Sequence, residues 1–179
     1  MFHPDTQFLI DHWTGLARRA DARGGLPDRS ALEPEALGAR LARTFLVERR
    51  GEEAFLRLAG EWIENFHGAP LKGRSLASLW RAGSRPLVAE SLTQSVREGR
   101  PLVIEAAAGT MAVPIEVGLA PLRGPYGRAD LLLGLYAPAA TLTLPANEAR
   151  RLTATAAIAV GEMARAPLSL AAVHGRRIA

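Results

Sequence analysis

The chain has 179 residues, 48% of them apolar and 22% charged, which suits one domain with flanking segments and excludes a disordered polymer. It has no cysteine, so disulfides, thiolate metal sites, cysteine nucleophiles and thiol adducts of a chromophore are excluded. Its net charge of +4 is carried by basic residues that are scattered or sit beside acids, as in VERRGEE and NEARR, and this argues against a nucleic-acid partner.

The opening MFHPDTQFLIDHW has an acid on each side of its apolar residues and no small-residue cleavage site, so it does not read as a secretory signal. Pro4 and Asp5 suit a helix start, since proline is pre-set for the first turn and an acid complements the helix dipole. Leu9, Trp13, Leu16 and Ala20 then recur at helical spacing, with Phe8 and Ile10 off that stripe. GGLPDRSALEP is an irregular connector, and a short helix is predicted over Pro34 to Leu41.

Strands are predicted at about Arg43 to Arg49 and Ala54 to Ala59, joined as a hairpin by RRGEE. A short helix follows over Glu61 to Phe66, then a bent connector from Gly68 to Gly73 and a single turn from Leu76 to Trp80. SRPLVAESLTQSVREG reads as a longer helix capped by Ser84, with Pro86 in its first turn, Val88, Leu92 and Val96 on one face and Gly99 as its stop.

The period then changes from 3.6 to 2. PLVIEAAAG is a strand, and AVPIEVGLAPL is a second with Val113, Ile115, Val117 and Leu119 on one face. RGPYGRAD is a turn and LLLGLYAP is the last predicted strand. Beyond Pro145 the residues Leu152, Ala156, Ala159, Val160 and Met163 form a weaker helical stripe, and HGRRIA reads as a tail. The longest uncharged run, Leu131 to Asn147, holds two prolines and falls short of a membrane span, so a soluble cytoplasmic protein is expected.

Little catalytic chemistry is visible. The histidines stand at positions 3, 12, 67 and 174, with no metal-ligand spacing and no neighbouring serine motif. Asp11 and His12 point about 100° apart on a helix and cannot act as a pair. No enzyme activity is expected, and no metal or other cofactor. Arg57 and Glu116 are expected to pair across strands.

The order of elements is that of PAS sensor domains. FLRLAGEWIENFHGAPLKGRSLASLW, PIEVGLAPL and LLLGLYAP resemble the small PAS-like proteins of alphaproteobacteria, long a family of unknown function, and HWTGLARRADARGGLPDRSALEP resembles that family's leader. The resemblance runs from about residue 8 to Pro138, and the matching positions include Leu58, Ala59, Gly60, Gly68, Leu71, Gly73, Trp80, Pro121 and Leu122. It departs at EWIENFHG, which carries Trp62 and His67.

The resemblance implies an α+β fold: a five-stranded antiparallel sheet with helices on one face and flanking helices at both ends, enclosing a small apolar cavity. The expected division is a leader over 1–41, a PAS-like domain over 42–140, and a C-terminal helix and tail over 141–179. Trp62, Phe66, His67, Leu71, Trp80, Val88 and Leu92 are the expected cavity wall.

The implied function is a stand-alone sensory module that regulates a partner protein in trans, tuned by a small apolar ligand or by its own dimerisation. The other reading is a small-ligand carrier or an enzyme on a similar cone-like fold. A homodimer is expected through residues 5 to 20, with Phe8, Leu9, Trp13 and Leu16 in the contact; the alternative is a monomer whose leader covers its own sheet.

Overall fold

A computed structural model describes residues 1–20, 25–139 and 150–161. Helix α1 runs from Pro4 to Arg19, with the His3 ring accepting a hydrogen bond from the Asp5 amide at its start. A four-residue helix, α2 (Pro34–Leu37), leads through a 3-10 turn at Gly38–Arg43 into strands β1 (Thr44–Arg50) and β2 (Glu53–Ala59). Gly51 makes the tight hairpin turn between them with a φ of 67°, a conformation that favours glycine. Helix α3 (Glu61–His67) ends on left-handed Gly68, and α4 (Arg85–Glu98) ends on left-handed Gly99. Strands β3 (Leu102–Ala108), β4 (Val113–Leu122), β5 (Leu131–Pro138) and β6 (Leu152–Ala159) complete the fold.

The six strands form one sheet in the order β2-β1-β5-β4-β3-β6, with every neighbouring pair antiparallel. The expected five strands are all present. The sixth is a correction: the segment read as a C-terminal helix is a strand over Leu152–Ala159, hydrogen-bonded along β3. Its sequence, LTATAAIA, is rich in alanine, so local preference favours a helix; the free edge of β3 decides otherwise, since pairing there satisfies both backbones. The remainder of the expected C-terminal helix and tail, from 162 onward, lies outside the described residues.

Alternation along the strands sends side chains to two separate cores. Phe45 and Val47 of β1, Leu102 and Ile104 of β3, Ile115, Val117 and Leu119 of β4, and Leu132 and Tyr136 of β5 face α3, α4 and the turn at Leu76–Leu79. Leu46, Ala120, Leu122, Leu131, Leu133 and Leu135 face the other way and are covered by Leu9, Trp13 and Leu16 of α1. Helices therefore lie on both faces, α1 alone on one of them.

Two glycines within the strands allow close approach. The Phe45 ring lies over Gly134, where a Cβ would fall inside the ring, and Leu9 lies over Gly118, where a Cβ would stand 2.7 Å from Leu9 Cδ2. Among the described residues no helix is long and apolar enough to cross a membrane.

Ser84 precedes α4 as expected but does not cap it. Its backbone is already helical, and its hydroxyl accepts a hydrogen bond from the Ala154 amide of β6 at 2.9 Å instead. Arg57 does not meet Glu116, because β2 and β4 are separated by β1 and β5. Arg57 pairs with Glu48 of the adjacent strand at 3.1 Å, and the Glu116 carboxylate accepts from the backbone amide of His3.

Candidate functional site

The residues expected to wall a cavity gather on the helical face of the sheet. Phe66, Leu71, Trp80, Val88 and Leu92 are buried in one cluster, with Trp62 half-buried against it. The rings of α3 centre on Tyr136, a fully buried residue of β5 that sequence reasoning missed. Phe45, Trp62, Phe66 and His67 all stand edge-on to the Tyr136 ring, with centroids 5.6, 6.3, 6.2 and 5.9 Å away. Trp62 also stacks on Phe66 at 5.3 Å, one helical turn along α3. Edge-to-face packing of this kind adds directional preference to burial. The residues expected to wall a cavity are thus brought together in one cluster.

His67 supplies the polar partner of this cluster. Its Nε2 lies 3.1 Å from the Tyr136 hydroxyl. Burial holds the imidazole well below its ordinary value, at about 4, and raises the Tyr136 phenol, so at neutral pH both groups are uncharged. A neutral imidazole tied to a buried phenol joins α3 to the centre of the sheet. One further polar atom is notable here: the Trp80 indole N–H is buried with no hydrogen-bond partner among the described residues.

Arg150 closes the C-terminal end of α3. Its Nη1 donates to the carbonyls of Asn65 and Phe66 at 2.8 and 3.3 Å, the end of a helix where a cation is favoured. Among the described residues no cluster of histidine and carboxylate side chains is arranged to hold a metal ion.

The side chains expected to hold a second chain are used within this one. Leu9, Trp13 and Leu16 are 1%, 5% and 4% exposed because they cover the sheet, and the Trp13 indole donates to the Pro121 carbonyl at 2.7 Å. Phe8 sits at the rim, stacked on His12 and under the Arg40 guanidinium. Asp5 ties the same helix to the segment before β1 through Arg40 at 2.7 Å and Arg43 at 2.9 Å. The apolar stripe of α1 was legible in the sequence, which left open whether it meets a second chain or covers its own sheet; here Leu9, Trp13 and Leu16 cover the sheet.

A groove of about 980 Å³ opens on the α1 side of the sheet, beyond the end of that helix's cover. It is lined by Asp28 and Arg29, by Leu46, Glu48, Arg57 and Leu58 of the hairpin, and by Arg123, Tyr126 and Asp130 around the β4–β5 turn. Residues 27–29 run parallel to Arg123 through two backbone hydrogen bonds and build its wall. Hydrogen bonds from Arg50 and Arg57 hold the Glu48 carboxyl below its ordinary value. Leu58 and Tyr126 are exposed at its edge. Sequence reasoning had no signal for this groove, because its parts come from three distant segments.

Comparison with known proteins gives one family and a set of distant structures. The family described as PAS domain matches residues 1–137. Similar solved structures include a light-oxygen-voltage domain whose mechanism was studied with a flavin analogue, at 15% identity and a TM-score of 0.46, over 59% of this chain and 83% of that one. An RNA-binding light-oxygen-voltage receptor is 19% identical with a TM-score of 0.44, and the match covers 63% of this chain but only 36% of the receptor. The light state of the blue-light photoreceptor Aureochrome1 LOV is 12% identical with a TM-score of 0.44, over 62% and 90%. No curated protein matches.

Proposed function

The chain belongs to the PAS domain family, and from that premise we propose that it is a sensory and regulatory module whose output is contact with a partner protein, without catalysis of its own. The observation that supports this reading is the open groove on the α1 side of the sheet, with Leu58 and Tyr126 exposed at its edge. Small-ligand sites are mostly apolar concavities with a few polar groups. Here the apolar interior is packed by Phe45, Trp62, Phe66, Trp80 and Tyr136. The open space is lined instead by charged side chains, with Tyr126 and Leu58 at the rim, and arginine and tyrosine are among the residues enriched at protein contacts.

The test is affinity purification of the tagged chain from its native host, in parallel with an Arg57→Glu/Tyr126→Ala variant, followed by mass spectrometry. Partners kept by the unaltered chain and reduced about tenfold by the variant would support contact through the groove. Identical partners with both would remove the groove from the reading, and none with either would overturn the reading itself.

A second reading, a small ligand that tunes the module, draws on the unpaired indole N–H of Trp80. An unsatisfied buried donor costs about 1–3 kcal/mol, which a ligand oxygen would recover. Small apolar ketones should then raise the melting temperature of the native chain and leave Trp80→Phe unchanged; equal shifts in both would rule it out.

A further inference from the structure

Strand β6 lies in a slot with three walls. One wall is the edge of β3, paired with it from Leu102 opposite Ala159 to Ala108 opposite Leu152. The second is the segment from Trp80 to Ser84: Trp80 bridges Leu152, the Arg81 amide donates to the Leu152 carbonyl at 2.9 Å, and the Ser84 hydroxyl accepts from Ala154. The third is the C-terminal end of α3, which takes the Arg150 side chain. The slot therefore reads an extended segment at three points: a cation, then an aliphatic anchor two residues on, then a small residue two further on. In this chain these are Arg150, Leu152 and Ala154.

The strand that fills the slot buries fewer of its side chains than any other strand. Leu152 is its one buried side chain, and the rest of Leu152–Ala159 is half-buried or exposed. By contrast Leu131–Ala137 of β5 are all buried. Alanines contribute little apolar area, so most of the hold is the backbone ladder, which any extended chain can supply. A bulge between Glu105 and Ala106 breaks that ladder in the middle. The PAS match ends at residue 137, so β6 lies beyond the matched part of the chain.

We propose that this slot is a strand-binding site for a partner protein, occupied here by the chain's own β6, and that partner binding requires β6 to leave. The occupant in trans is an extended segment with a basic residue, an aliphatic residue two positions later and small residues after it. While β6 is seated it competes from the same chain at a high effective concentration, so a free peptide binds weakly until β6 is loosened.

The probe is a fluorescein-labelled peptide with the sequence of residues 150–159, titrated against the full chain by fluorescence anisotropy. Three forms are compared: the unaltered chain, Leu152→Asp, and Ala107→Cys/Thr153→Cys, whose two positions face each other across the β3–β6 ladder. The chain has no native cysteine, so oxidation of that variant locks β6 by a single defined bond. The proposal expects Leu152→Asp to bind the peptide about tenfold or more tighter than the unaltered chain, and oxidation of the double variant to weaken binding by about tenfold relative to its reduced form. A peptide carrying Leu152→Asp should bind to none of them. Equal binding to the oxidised and reduced forms would overturn the proposal, as would the absence of binding to every form. Amide exchange on the unaltered chain gives a test free of substitutions: β6 should exchange at least about a hundredfold faster than β4 and β5, and equal protection would mean that β6 does not leave.

Discussion

On the helical face of the sheet, four rings from β1 and α3 lock around Tyr136 of β5, and every covering helix comes from the middle of the chain. On the opposite face a single helix from the N-terminus lies across β4 and β5, with Leu9 seated over Gly118 and Trp13 tied to the Pro121 carbonyl. The first core is closed by shape and aromatic geometry, the second by one amphipathic stripe pinned at its ends. The second pin is electrostatic, since Asp5 holds Arg40 and Arg43 at the start of the helix. Together they teach that the sheet is a partition: its two sides answer to different parts of the sequence and should fail separately.

The largest effect is expected where the helical-face core is densest. Trp80→Ala should lower stability by roughly 3–5 kcal/mol in urea melts, because the ring is 1% exposed and nothing nearby can refill its volume. A loss below about 1 kcal/mol would break the comparison by removing Trp80 from that core.

Acid should weaken the same face next. His67 is held at about 4 in the folded protein against an ordinary 6.5, so between those values the unfolded chain binds more protons than the folded one. The resulting stability is complete above about pH 6.5 and is lost as pH falls toward 4, by roughly 2–4 kcal/mol. His67→Gln, which keeps a partner for Tyr136 and does not titrate, should flatten that part of the pH profile in denaturant melts. Parallel profiles for the two proteins would show that some other group drives the acid response.

A smaller change should follow on the opposite face. Trp13→Phe keeps most of the ring but drops the hydrogen bond to Pro121, for a loss of about 1–2 kcal/mol. Hydrogen exchange should report it in α1 while the Tyr136 cluster stays protected. Loss of protection on both faces together would mean that the cores are not separate. Smallest of all, Arg57→Ala at the groove should leave urea melts unchanged within error, since the Arg57 side chain is 54% exposed. A clear destabilisation would make the groove part of the fold and not a surface for contact.

Much of this architecture was legible in the residues themselves. Period-2 alternation in Val113, Ile115, Val117 and Leu119 placed β4 and its buried face, and the spacing of Leu9, Trp13 and Leu16 placed α1. The members of the helical-face cluster were also readable, from Trp62 to Leu92, because large apolar groups at helical spacing must be covered. What was not readable depended on which strands become neighbours. Arg57 and Glu116 each sit on a strand, but the order β2-β1-β5-β4 holds them apart. LTATAAIA satisfies either period, and the vacancy beside β3 chose the strand. Tyr136 gave one signal, as the only aromatic of β5, but its role needed α3 folded over it. The groove gave none.

Strand β5 lies between β1 and β4, and it contributes Leu132 and Tyr136 to one core and Leu131, Leu133 and Leu135 to the other. It is also the fifth strand to be synthesised. The hairpins β1–β2 and β3–β4 can each form from local contacts as they leave the ribosome, but β1 cannot reach β4 without the strand that separates them, and α1 has only part of its seat until β5 is in place. The first helix made is thus among the last to dock. Neither core is complete before β5 pairs with β1 and β4, so both faces of the sheet wait on the same long-range contact, the kind that slows folding in general.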